Sequence, residues 1–253
     1  MKFENSVAII TGGASGLGES TVRKFHSKGC KVCIFDKDAN KGNNLARELG
    51  KDVIFCPVDV CDPISTKEGI EEVIKTFRKI TINVNCAGIA IAEKTIGKDG
   101  IHNLDNFKKV VEVNLIGTFN VVCLCAEQMV KNPLDINLEK GVIINTASVA
   151  GLEGQKGQVA YAASKGGVAS MTLPIARDLA REGIRCCCIA PGLFLTPMFE
   201  GLGAEVCEEL SKDVLYPKRL GTPEEFAQFA SQVVENNYFN GSIMRLDGGI
   251  RLA

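Results

Sequence analysis

The chain is poor in the residues that build metal centres and has almost no net charge. It holds 2 histidines, and although 11 cysteines are present, no C-x-x-C pair is joined to a second pair. A tetrahedral zinc site needs four clustered sulfur or imidazole ligands, so the pattern excludes one and no metal is expected. Net charge is −1 at pH 7, which removes any global attraction to nucleic acid or to an anionic membrane. No uninterrupted apolar run approaches the ~18 residues of a membrane span. The opening Met1-Lys2-Phe3-Glu4-Asn5 passes directly into apolar Val7-Ala8-Ile9-Ile10, so neither a secretory signal nor an Arg-rich transit peptide is read there. An odd cysteine count without a secretion signal points to reduced thiols. Cys33, Cys56, Cys86, Cys123, Cys125 and the run Cys186-Cys187-Cys188 lie in apolar segments and read as small buried hydrophobes.

What is present is an alternation of strand and helix patterns. Residues 7–10, 31–35, 53–58, 80–85, 141–146, 184–189 and 243–246 read as strands. Helical spacing covers residues 17–28, 67–78 and 107–130, and a further helix carries Tyr161 and Lys165. Pro174 falls inside that last pattern and is expected to bend the helix, since proline removes one backbone donor. Such alternation predicts an α/β fold, a doubly wound, seven-stranded parallel sheet with helices on both faces. Hydrophobic residues make up 45% of the chain, enough to fill a sheet covered on both sides. No linker, repeat or low-complexity stretch divides residues 1–253, so one domain is expected.

Two constellations carry chemistry. At the start, a buried strand ends in Thr11-Gly12-Gly13-Ala14-Ser15-Gly16-Leu17-Gly18 and a helix follows. Glycines permit close backbone approach, and a helix N-terminus offers free N–H groups to an anion, so this is a phosphate-binding entry. The second strand ends at Asp36, 20 residues after Gly16, where a dinucleotide fold sets the carboxylate that binds the adenosine ribose hydroxyls. Asp36 should repel a 2′-phosphate and favour NAD, while Lys37 beside it keeps NADP open. Further along, Tyr161 and Lys165 are four apart and share one helix face. A tyrosine with its usual pKa of about 10 is protonated at neutral pH, and a neighbouring ammonium favours the phenolate. That pairing suits exchange of a proton with an alcohol or ketone oxygen. A three-unit shift takes about 4 kcal/mol, more than one exposed lysine supplies, so a bound cationic cofactor ring is expected to add to it.

The pattern T-G-x-x-x-G-x-G, with Asn85-Cys86-Ala87-Gly88, Asn114, Ser148, Tyr161-x-x-x-Lys165 and Pro191-Gly192, resembles the short-chain dehydrogenase/reductase family over essentially the whole chain. The resemblance implies a single-domain Rossmann fold and an oxidoreductase that passes a hydride between NAD and a secondary alcohol or ketone. It implies that Ser148 binds the substrate oxygen, that Tyr161 exchanges the proton, that Lys165 lowers the tyrosine pKa and holds the nicotinamide ribose, and that Asn114 supports a water relay from Lys165. By the same likeness Gly12, Ser15, Gly16, Leu17 and Gly18 cradle the cofactor phosphates, and Asp59 and Val60 meet the adenine. Asn85, Ala87 and Gly88 form the turn beside the cofactor, with Pro191, Gly192, Phe194 and Thr196 at its nicotinamide end. Gln158 is a weaker candidate for the substrate side.

Residues 9–18, 141–150, 171–179, 189–194 and 240–248 are similar to a subgroup of that family acting on 3-hydroxyacyl-CoA and on hydroxysteroids, and residues 92–106 fit its longer loop. A lid at about residues 193–217, apolar through Leu195, Met198, Phe199, Leu202 and Val206, would accept an acyl chain or a steroid body. The subgroup implies a mitochondrial homotetramer, with the cytoplasm as the alternative compartment. A reading of another class is a cofactor-binding scaffold in a mitochondrial RNA-processing complex.

Overall fold

Five consecutive buried residues make β1 (Val7–Thr11), and a strand buried on both faces belongs inside a parallel sheet. The computed structural model describes residues 1–98, 100–197 and 204–252. Its strands are β1, β2 (Lys31–Asp36), β3 (Val53–Pro57), β4 (Ile82–Asn85), a small hairpin of β5 (Ile96–Gly97) and β6 (Gly100–Ile101), then β7 (Gly141–Thr146), β8 (Ile184–Pro191) and β9 (Ile243–Leu246). Seven of them form one sheet in the order β3-β2-β1-β4-β7-β8-β9, and every pairing in it is parallel. The seven-stranded doubly wound expectation therefore holds. The chain builds outward from β1 to β3 and then returns to set β4 on the other side of β1. That reversal parts the loops above β1 and β4 and opens a crevice at the carboxyl ends of the strands.

Alternate residues along each strand feed opposite faces. Ala8 and Ile10 join Val22 and Phe25 of α1 (Gly16–Ser27), Leu45 of α2 (Ala39–Leu49) and Phe226, Ala230, Val233 and Val234 of α8 (Pro223–Glu235). Val7 and Ile9 face the other layer. There they meet Ile70 and Val73 of α3 (Pro63–Phe77), Val121, Cys125 and Met129 of α5 (Thr118–Met129), and Ile175 of α6 (Val159–Leu179). Each fully buried Val or Ile contributes about 1.5–3 kcal/mol, so the sheet interior dominates the stability. A buried ionic cluster lies within this packing, in which the Met1 ammonium also donates to Glu139 at 2.8 Å. Arg185 of β8 is buried, donates to the Glu139 carboxylate and also to the carbonyls of Val233 (2.9 Å), Val234 (3.0 Å) and Phe239 (2.9 Å).

Several elements differ from expectation. The single helix expected over residues 107–130 is three pieces, α4 (Leu104–Val111), a π-helical turn (Glu112–Gly117) and α5. Leu104–Met129 holds an 18-residue window with a mean hydropathy of 1.5, long and apolar enough by length and composition alone to cross a membrane. Val110, Val121, Cys125 and Met129 are instead buried in the protein, as in a core helix. Helices α2 and α8 had no expectation. Helix α6 contains Pro174 within its span, where the sequence set it. Strand three ends at Pro57 rather than residue 58, and β4 starts at Ile82 rather than residue 80.

Within the lid segment a short helix, α7 (Ala204–Ser211), is present. Met198, Phe199 and Leu202, and the side chain of Val206, lie outside the described residues. Cys123 is exposed, contrary to the reading of it as buried, whereas Cys33, Cys56, Cys125 and Cys186-Cys187-Cys188 are buried. Cys86 is intermediate. Among the described residues no cluster of His, Cys, Asp and Glu could hold a metal.

Candidate active site

The glycine turn is shaped by close approach. Gly12 has φ +63°, and a Cβ there would stand 2.9 Å from the Ala87 backbone. A Cβ on Gly18 would lie 2.1 Å from the Gly12 carbonyl oxygen, so the first turn of α1 rests directly on the loop that precedes it. Ser15 occupies the N-cap of α1 and makes no side-chain cap bond. Its hydroxyl and the free amides of the first turn are thus available to an anion. At the end of β2, the Asp36 carboxylate accepts from the Ala14 N–H (3.1 Å) and the Asp38 N–H (3.0 Å), which fixes it beside the turn. Lys37 is held by Asp59 at 2.8 Å. This contact holds the Asp59 carboxyl below its ordinary range and raises the lysine pKa.

These groups border one cleft of about 670 Å³ above the carboxyl ends of the strands. Gly12, Ser15, Gly16, Leu17 and Gly18 form one wall, with Asp36, Asp59 and Val60 at that end. Ala87 and Gly88 form the floor. Ser148, Tyr161 and Lys165 also line it, as do Pro191, Gly192, Phe194 and Thr196, and Thr196 lies against Gly16 of the turn. The donors and the shape fit a dinucleotide: an anion-ready helix end, a glycine cradle that any side chain would fill, and a carboxylate at ribose distance along the chain.

Three expected residues are outside the cleft lining. Asn85 is buried beneath it, its amide donating to Asn83 Oδ1 (2.8 Å) and Asn145 Oδ1 (2.9 Å). Asn114, on the π-helical turn, is fully buried. Its Oδ1 accepts from the Ile89 N–H (2.8 Å), and its Nδ2 donates to the Ile89 carbonyl (2.9 Å) and to Ser164 Oγ (3.0 Å). That side chain clamps the segment after β4 against α6. Gln158 caps the N-terminus of α6, and its Oε1 is buried without a partner. Lys109, Glu112 and Val113 line the cleft and were not anticipated. Their only sequence signal is proximity to Asn114, because a π-turn changes which residues of a helix face a given side.

Lys165 is buried rather than exposed, and its Nζ donates to the Thr146 carbonyl at 2.7 Å. Burial disfavours the ammonium and brings its pKa down to about 8. The ammonium lies 5.9 Å from the centre of the Tyr161 ring. Tyr161 itself has its pKa raised, chiefly by burial, with a hydrogen bond to Ser148 acting the other way. The expected lowering of the tyrosine pKa by Lys165 is not among the causes in the protein alone, where burial outweighs the Ser148 hydrogen bond. Ser148 Oγ accepts from the Ala150 N–H at 3.1 Å, so its O–H is the group directed at the Tyr161 oxygen. Two hydroxyls and a buried amine thus converge at one end of the cleft, a set able to move a proton to or from an oxygen.

Residues 6–207 match the family model described as short chain dehydrogenase. The chain is 45% identical over 252 residues to 3-hydroxyacyl-CoA dehydrogenase type-2 of Drosophila melanogaster, covering 99% of each. It is 47% identical over 248 residues to the Homo sapiens protein of the same name, covering 97% of this chain and 95% of that one. The crystal structure of 3-hydroxyacyl-CoA dehydrogenase type-2 from Mycobacterium avium matches with a TM-score of 0.94 at 39% identity, covering 100% of this chain and 99% of the other.

Proposed function

Because the chain belongs to the short-chain dehydrogenase family, and is therefore an oxidoreductase that uses a nicotinamide cofactor, we propose that it interconverts 3-hydroxyacyl-CoA and 3-ketoacyl-CoA with NAD(H). The observation that carries the chemistry is the meeting of Ser148, Tyr161 and buried Lys165 at the end of a cleft that begins at the glycine turn. The acyl-CoA substrate is supported by relatives of that name at 45% and 47% identity over nearly the full length. The choice of NAD is supported by Asp36 in the cleft and by the 2.8 Å contact that ties Lys37 to Asp59. That contact gives Lys37 a carboxylate partner on the surface and draws it towards Asp59.

The glycine turn and Ser15 would hold the pyrophosphate, Asp36 the adenosine ribose, Asp59 and Val60 the adenine, and Lys165 the nicotinamide ribose. Ala87, Gly88, Pro191, Gly192, Phe194 and Thr196 would flank the ring end. A bound nicotinamide accepts or supplies the hydride. In the oxidising direction Ser148 donates to the substrate oxygen while Tyr161, as phenolate, takes the hydroxyl proton. In the reducing direction the Tyr161 hydroxyl returns it. Lys165 would stabilise the phenolate electrostatically. Asn114 acts by fixing Ile89 and Ser164, which in turn bonds to the Tyr161 carbonyl at 2.8 Å.

NADH oxidation with acetoacetyl-CoA tests this reading. Tyr161→Phe should lose at least about 10²-fold in kcat, in keeping with loss of a general acid, and still bind NADH. A Tyr161→Phe enzyme at parental speed would sink the mechanism. Offering a 17-ketosteroid and acetoacetyl-CoA at equal concentration ranks the two substrate classes. A homotetramer is supported by apolar Ile116, Phe119 and Leu173, which are exposed on the long helices. Sedimentation would return the mass of four chains.

A further inference from the structure

The segment after β4 is tied down twice on its way to the hairpin. The first tie is Asn114 on Ile89. The second centres on Glu93, for which the chemistry proposed above has no use. The Glu93 N–H donates to the Gly157 carbonyl at 2.8 Å, and Glu93 forms an isolated parallel bridge with Gln158. Its carboxylate reaches the other way. One oxygen accepts from the Asn103 N–H at 2.7 Å and the other from Asn106 Nδ2 at 2.9 Å. His102 Nε2 stands 3.8 Å from the second oxygen, with its ring edge-on to Phe107. Asn103 is the N-cap of α4 and Asn106 lies in its first turn.

Glu93 therefore joins the start of α4, which leads into the turn bearing Asn114, to the residues that start α6. On the α6 side the chain is primed for such a tie. Gly157 has φ +81°, so the turn takes a conformation that most side chains avoid. The Gln158 carbonyl then accepts from the Ala162 N–H at 2.7 Å, opening the helical turn in which Tyr161 sits. A shift at residue 157 passes directly to Tyr161.

We infer that Glu93 is a positioning residue that fixes the first turn of α6, and with it the Tyr161 hydroxyl, by locking it to the N-terminus of α4. The inference rests on the proposed proton-transfer role of Tyr161. Removing the carboxylate leaves the Asn103 N–H and the Asn106 amide without their common acceptor, so the two helix starts lose register. A displacement of the order of 1 Å at a reacting group lowers rate strongly without touching the cofactor.

Three variants test it: Glu93→Ala, Glu93→Gln and Asn106→Ala. Turnover of acetoacetyl-CoA is expressed per NADH-binding site, which removes any inactive fraction. Glu93→Ala should lose about ten-fold or more in kcat per site, in line with the sensitivity of rate to orientation, with the NADH Kd unchanged. Asn106→Ala should lose less. Glu93→Gln should recover most of the rate, since its amide oxygen can take the Asn103 N–H while the Asn106 amide turns to accept. Hydrogen exchange of amides 155–162 should quicken in Glu93→Ala and not in Glu93→Gln. Parental kcat per site in Glu93→Ala, or loss of NADH sites in proportion to activity, would overturn the inference. Were the parent inert towards acetoacetyl-CoA, the substrate reading alone would fail. The exchange measurement would still decide the role of Glu93, and unchanged protection at 155–162 would reject it.

Discussion

Lys165 carries its charge at a thermodynamic cost. Its ammonium has a pKa of about 8 in the folded protein against 10.5 for the ordinary side chain. The folded state binds that proton less well than the unfolded chain, so a penalty is fully present below pH 8 and fades as pH rises towards 10.5. Lys165→Met removes the penalty and also leaves the Thr146 carbonyl unpaired, a pH-independent loss of about 1–3 kcal/mol. The two are separable by slope. The difference in unfolding free energy between variant and parent should shift in favour of the parent by about 3 kcal/mol from pH 8 to 10.5. Urea titrations at several pH values measure it, and a flat difference would contradict the assigned shift. At Tyr161 the direction is opposite: burial favours the neutral phenol, so on the proposed reading the phenolate would need the added positive charge of Lys165 and of a bound cofactor. The four-residue spacing of Tyr161 and Lys165 was legible in the sequence. Its burial was not, because burial depends on what packs around α6 and no local pattern records that.

Among the elements, the strands that were easiest to read are those buried on both faces, β1, β4, β7 and β8, whose residues form short, nearly continuous apolar runs. Helix α2 was missed because Lys41, Asn43, Asn44, Arg47 and Glu48 give it a largely polar surface, with only Gly42 and Leu45 buried. The π-turn was missed because its extra residue per turn leaves no mark in composition; Asn114, which it carries, is bonded to Ile89 and Ser164. The glycine turn was read correctly as an element, since each glycine answers a steric demand. Gly18→Ala puts a methyl 2.1 Å from the Gly12 carbonyl oxygen, an overlap that only movement of α1 can relieve. The expected result is a loss of about 1–3 kcal/mol of stability, typical of overpacking, together with a much weaker NADH affinity. Calorimetric titration with NADH beside urea unfolding checks both, and parental values would show that the turn does not need glycine there.

For the whole molecule, the Glu139–Arg185 pair joins β8 and the residues before β7 to the C-terminal end of α8. Glu139→Ala would leave the Arg185 guanidinium buried with only carbonyl partners, an arrangement that costs about 3–5 kcal/mol when a buried pair is broken. Replacing both Glu139 and Arg185 with apolar residues should recover only part of that, because the buried Met1 ammonium loses its carboxylate partner, and the double variant's urea midpoint measures the recovery. The packing of α1 against α8 has a further consequence, which lies in time rather than space. Val22 and Phe25 find their cover in Phe226, Ala230, Val233 and Val234, about 200 residues later in the chain. At a synthesis rate of roughly 5–20 residues per second, the ribosome needs about 10–40 s to deliver that cover. During that interval the nascent chain shows an oily face that only a chaperone or its own delayed C-terminal half can shield.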